Sequence, residues 1–186
     1  MNVRMESARL TARTARIGAV ILILGALSPG GHARAQEAWG PFDFLIGAWT
    51  GEGAGKPGSG AGEFTFQPGL AGKVLVRKSR ADYPAAEGRP AVHHEDLIVV
   101  YREGGNPAAR AIYFDNEGHV IRYAVSSTAS GDTLEFLSDA DPAGSTYRLR
   151  YVRTGPATMG VTFDMAPAGK PAEFRQYLNG TCRRRK

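Results

Sequence analysis

The densest run of groups able to do chemistry is His93-His94-Glu95-Asp96. Two imidazoles and two carboxylates in four residues could hold a metal or move a proton. In an extended chain neighbouring side chains point to opposite faces, so His93 goes with Glu95 and His94 with Asp96. Each pair offers two donors, whereas a zinc site takes at least three from the protein. No metal is expected, and both histidines read as polar residues where a strand begins. An acid or base at a barrel mouth, His94 or Asp96, is the enzymatic reading that this leaves. His119 follows Gly118 in a hairpin and is expected in solvent. Nucleophilic catalysis has no support: Ser126, Ser127 and Ser130 lie in a polar stretch with no G-x-S-x-G elbow. Gly53 to Gly62 lacks the G-K-[ST] ending of a phosphate loop. The single cysteine, Cys182, has no partner for an internal disulfide or a C-x-x-C pair and is expected as a small buried residue. Neither an enzyme nor a cofactor is expected.

The other residues that could make a site are aromatic. Phe64 or Phe66, Tyr113, Tyr123, Tyr147, Tyr151 and Phe163, with Met159, recur on alternating positions. On the inner wall of a barrel they would line an apolar cavity with hydroxyl handles, a setting for a small hydrophobic ligand. The alternative is that they simply fill a core, leaving an interaction module that works through its rim loops or tail.

The elements that must carry these residues are short strands. Glu63 to Phe66 alternates and stops at Pro68-Gly69. Val74 and Val76 share one face, Leu75 and Arg77 the other. Leu97–Tyr101, Ala111–Phe114, Val120–Val125 and Thr133–Leu137 follow, separated by Gly, Asn, Asp and Pro turns. Tyr147, Leu149 and Tyr151 oppose Arg148 and Arg150; Met159, Val161, Phe163 and Met165 oppose Gly160, Thr162 and Asp164. A last strand runs from Phe174 to Cys182, and Phe42–Trp49 reads as a helical turn entering a strand. The links are too short for parallel crossovers. The expected fold is all-β, an antiparallel up-and-down barrel of about ten strands. Gly53–Gly62 and Tyr83–Val92 are the expected rim loops.

Before the first strand, Arg4, Arg9, Arg13 and Arg16 precede an apolar run, Ile17–Leu27, a Ser-Pro-Gly-Gly break and Ala33-Arg34-Ala35. Basic region, short apolar core and A-x-A site make a secretory signal. The run is about half the roughly 20 residues a spanning helix needs, so no membrane anchor is expected. Residues 1–35 are expected to be cleaved, leaving 36–186 as one barrel domain with a basic tail, 183–186, outside the cytoplasm in the periplasm or medium. Cleavage removes five arginines and Glu6, which leaves 18 basic and 17 acidic residues. The high isoelectric point thus belongs to the signal and the tail. A nucleic-acid partner, which needs a basic face on the folded domain, is not expected.

The stretch Phe44-Leu45-Ile46-Gly47-Ala48-Trp49-Thr50-Gly51-Glu52-Gly53 at the head of a ten-strand meander resembles the nitrobindin-like barrels. It is similar above all to an uncharacterised bacterial family of exported and cytoplasmic relatives of the nitrobindin/lipocalin-like superfamily. Phe66–Leu75, the turn around Tyr113–Gly118 and the basic terminus share the likeness. It implies that Gly47 lets the backbone pass close to its neighbour. Trp49 would plug one barrel end or touch a ligand, covered by Arg183 or Arg184 through a cation–π contact. Nitrobindins hold haem through a late-strand histidine. Here Phe174–Asn179 contains none, and Tyr177 is the group in that region able to ligate haem. The implied function is an exported lipocalin-like binder of a small apolar molecule rather than a haem protein.

Overall fold

The computed structural model describes residues 39–104, 106–141 and 143–186. The expected signal, 1–35, lies outside the described residues. A 3₁₀ helix, Gly40–Leu45, leads into ten strands. They are β1 (Gly47–Gly55), β2 (Gly60–Gly69), β3 (Val74–Tyr83), β4 (Val92–Arg102) and β5 (Ala109–Asp115). After them come β6 (Val120–Ser127), β7 (Thr133–Ser138), β8 (Thr146–Gly155), β9 (Thr158–Ala166) and β10 (Arg175–Arg184). Each pairs antiparallel with its sequence neighbour, and β1 pairs with β10 to close the barrel. The expected up-and-down ten-stranded barrel is the observed fold, and closure leaves no strand edge unpaired.

Period-two alternation sorts the side chains. Trp49, Phe64, Phe66, Leu75, Ile98, Val100, Tyr123, Leu134, Phe136, Leu149, Tyr151 and Met159 point inward and are buried. Charged residues such as Glu63, Arg80, Arg110 and Arg150 occupy the outer wall.

Two ends differ. At one, the 3₁₀ helix lies across the opening with Phe42 and Leu45 buried. Trp39 meets Phe42 edge-on, and Phe42 meets Phe136. Strands β1, β3, β5, β7 and β9 start at this closed end and finish at the other, the mouth.

Two expectations need correction. Gly53–Gly62 is not a rim loop: β1 and β2 run through most of it, leaving only residues 56–59 between them. Its glycines serve close strand approach. A Cβ at Gly53 would come 2.6 Å from the Asn179 carbonyl oxygen, and one at Gly62 would come 2.6 Å from that of Arg80. Tyr83–Val92 does connect strands, through residues 84–91. The basic tail is no free appendage, since Arg183 and Arg184 belong to β10. The Arg185 N–H donates to Ala48 O at 2.8 Å and its guanidinium lies 2.9 Å from Glu63.

Candidate functional site

The predicted site residues fall into two groups. Trp49 belongs to the closed end. Its indole N–H donates to Leu45 O at 2.8 Å, its ring stacks on Phe64, and it is 1 % exposed. The arginine over it is Arg184, 4.4 Å from guanidinium carbon to ring centroid. Arg183, pairing with Thr50 one step along β10, points outward. Arg184 also donates to the carbonyls of Phe44, at 2.8 Å, and Ile46. It thereby covers orphan carbonyls where the 3₁₀ helix ends. Gly47, at φ 132°, makes room for this guanidinium rather than for a neighbouring strand, because a Cβ there would collide with it. Tyr123 is buried mid-barrel against Phe136, away from the mouth.

The second group forms a cup at the mouth. Tyr113, Ile121, Tyr147, Val161 and Phe163 face inward and are half-buried over the core. Tyr147 and Phe163 stack with ring centroids 6.0 Å apart, and Tyr177 meets Phe163 edge-on at 5.9 Å. The opposite wall is lined by Gly53, Gly62, Ala81 and Gly180 at inward positions, which take up almost no space. Tyr83, absent from the sequence-based set, also stands at this rim; a Cβ on Gly60 would strike its ring.

The floor of the cup is polar, and sequence reading did not anticipate it. Arg77 lies inside the barrel, on the face of Leu75, with its side chain 13 % exposed. Its Nη1 donates to Asp96 Oδ1 at 2.9 Å and its Nη2 to Ser79 Oγ at 2.9 Å, and the guanidinium lies over Phe64 at 5.2 Å. Burial is the largest influence and works against its charge, but Asp96 together with Tyr151, Tyr113 and Cys182 more than offsets it, so its pKa is raised. Its Nε is buried with no hydrogen-bond partner, and so is the hydroxyl of the fully buried Tyr151 beside it. Such orphans are rare in folded proteins and ask for an explanation. The alternation of Val74 to Arg77 placed Arg77 on the same face as Leu75. No pattern in the sequence said which face was inner.

From the floor a chain of polar groups climbs to the rim. His94 Nε2 stands 3.7 Å from Asp96 Oδ2 and 3.1 Å from the Tyr113 hydroxyl, which donates to Asp115 Oδ2 at 3.0 Å. Burial, with Asp96 and Asp115 nearby, pushes the Tyr113 pKa far up, so its hydroxyl remains a donor. Burial likewise raises Tyr123 and Tyr151. Asp115 is held below the usual carboxylate range: burial opposes its charge, but the His119 backbone N–H, the His119 imidazole and Tyr113 prevail. His119 is thus not merely solvated, because its Nδ1 lies 2.8 Å from Asp115. His93 points to the outer wall, 2.7 Å from Asp82. Asp82 and then Glu95, both hydrogen-bonded to its ring, raise its pKa.

The hydroxyl presented to His94 is that of Tyr113, kept protonated, and Asp96 is committed to Arg77. Cys182 is buried and pushed up to about 11 by burial. Outside the barrel, an open groove of about 990 Å³ crosses the wall of β8, β9, β10, β1 and β2, with Glu52, Ala54, Ala61 and Thr162 along it.

No family model and no curated protein matches the chain, so the likeness to nitrobindin-like barrels rests on the residues quoted above. Solved structures do match. The protein Rv2717c from M. tuberculosis is 15 % identical with a TM-score of 0.52, over 78 % of this chain and 98 % of that one. An S-type phycobiliprotein lyase from Guillardia theta is 10 % identical with a TM-score of 0.49, over 78 % of this chain and 90 % of that one. A de novo designed fluorescence-activating β-barrel is 10 % identical with a TM-score of 0.42, over 80 % of this chain and all of that one. At such identities the likeness is one of fold.

Proposed function

We propose that this chain is an exported, lipocalin-like binding protein for a small, mostly apolar molecule with one hydrogen-bond-accepting end. One observation carries the reading: an aromatic cup over two buried, unpartnered groups, the Arg77 Nε and the Tyr151 hydroxyl. Both can donate. An acceptor such as a carboxylate or carbonyl at the end of an apolar body would satisfy them while the body stacks on Tyr147, Phe163 and Tyr177. Apolar walls with few convergent polar groups are the usual make-up of a small-molecule site. The competing picture is a filled barrel acting through its tail. It is the weaker one, because the tail is spent on holding the closed end through Arg184 and Arg185. Export rests on the features of residues 1–35, and a mature N-terminus at Gln36 in secreted or periplasmic material is its check.

The binding test is native mass spectrometry and calorimetry of the mature protein against medium-chain fatty carboxylates and aromatic carboxylates. One molecule per barrel is expected. Phe163→Ala removes a half-buried ring whose full burial would be worth about 1.5–3 kcal/mol, so a loss of about 1.4 kcal/mol, tenfold in affinity, is expected. Tyr151→Phe weakens binding without loss of fold. No retained ligand across the panel, or unchanged affinity in Phe163→Ala, would refute the proposal.

A further inference from the structure

We infer that the rim of the mouth carries a site for a divalent transition-metal ion of the zinc class, formed by His94, Asp115 and Glu117 with His119 beside them. Ligand atoms of His94, Asp115 and Glu117 all lie within 4.8 Å of one another. His94 Nδ1 is 3.1 Å from Glu117 Oε1. His119 Nδ1 is 2.8 Å from Asp115 Oδ2 and 3.9 Å from Glu117 Oε2. One imidazole and two carboxylates thus converge, the three protein donors of an open zinc site, and His119 stands against both carboxylates. Mixed imidazole and carboxylate donors suit zinc and its neighbours, whereas calcium takes six to eight oxygens.

The donors come from two elements held together without any ion. His94 projects from β4 on the inward face, and the β5–β6 turn, Asp115-Asn116-Glu117-Gly118-His119, supplies the rest. Asn116 fastens this turn to β4. Its N–H donates to Glu95 O at 3.0 Å, its Nδ2 to His93 O at 3.1 Å, and its Oδ1 accepts from the Glu95 N–H at 3.1 Å. Asp115 Oδ1 accepts from the backbone N–H groups of Glu117 and His119, at 3.0 and 2.9 Å. Behind the ligands, the Tyr113 hydroxyl touches both His94 and Asp115 and orients them, as outer partners do in metal sites. The ion pairs of Asp115 and Glu117 among the described residues are with histidines alone. With neutral imidazoles the cluster therefore carries two negative charges, which a divalent cation neutralises. The outer-wall trio of His93, Asp82 and Glu95 has one imidazole and sits on an exposed strand surface. It serves as an internal control.

The test is zinc titration of the mature protein by calorimetry near neutral pH, with circular dichroism to confirm folding. One zinc per chain is expected. Loss of an outer partner alone costs about 10–100-fold in metal affinity, so His94→Gln and Glu117→Gln should each cost at least that. His93→Gln should cost nothing. If either variant misfolds, imidazole NMR of the wild-type chain decides, since zinc must then shift the His94 and His119 resonances and spare His93. No zinc binding, wild-type affinity in the folded His94→Gln and Glu117→Gln variants, or shifts at His93 instead would each overturn the site. Carboxylate binding in the cup is read separately, so the two proposals fail independently.

Discussion

Replacing Arg77 by methionine should unfold the barrel far more easily at neutral pH than replacing Arg77 and Asp96 together. Asp96 is 5 % exposed and holds Arg77 at 2.9 Å. Take away the cation and its carboxylate remains inside the barrel, with His94 Nε2 3.7 Å away as its nearest remaining ionic partner. Removing one member of a buried ion pair costs about 3–5 kcal/mol, whereas replacing both with apolar groups of similar size is near neutral or stabilising. For a domain of this size each kcal/mol moves Tm by about 2–4 °C, so Arg77→Met should lower it by about 6–20 °C. Arg77→Met with Asp96→Leu should recover most of that. Urea unfolding can follow it through the two tryptophans, Trp39 and Trp49, both 1 % exposed at the closed end. A single-variant cost below about 1 kcal/mol, or a double variant as unstable as the sum of the singles, would refute a charge pair buried at the floor.

At the closed end, Arg184→Ala removes a cation–π contact with Trp49 and two bonds to helix-end carbonyls. A loss of about 2–4 kcal/mol is expected in the same urea assay, while Arg183→Ala, on the outer face, should be almost silent. Gly47→Val should match the Arg184 loss, because φ of 132° and the guanidinium beside it both exclude a side chain. Cys182, buried and pushed up to about 11, should resist thiol reagents at pH 8 in the folded protein and react at once in urea. In the β6–β7 turn, the hydroxyls of Ser130 and Thr128 hold Asp132 below its ordinary 3.8. Its contribution to stability is present above that value and lost as pH falls through the lower folded one. An NMR midpoint at or above 3.8 would contradict this.

The sequence by itself determined the wall of this protein. Strand number, antiparallel order and the inward run of Tyr147, Leu149 and Tyr151 follow from period-two alternation and turn residues, which act locally. Glycine-rich stretches misled, because the same residues that make loops also let β1 approach β10 closely, as at Gly53. The interior was decided only by closure. His94 and Asp96 were legible as a same-face pair, but two donors made no site until the β5–β6 turn was pinned across β4 by Asn116. Asp115, Glu117 and His119 lie some twenty residues along the chain from His94, and nothing in local patterning sets that register. Arg77 was visible as the odd charge beside Leu75. Its meeting with Asp96 beneath an aromatic cup is a property of curvature and of which face turns inward, and both are set by ten strands closing on themselves.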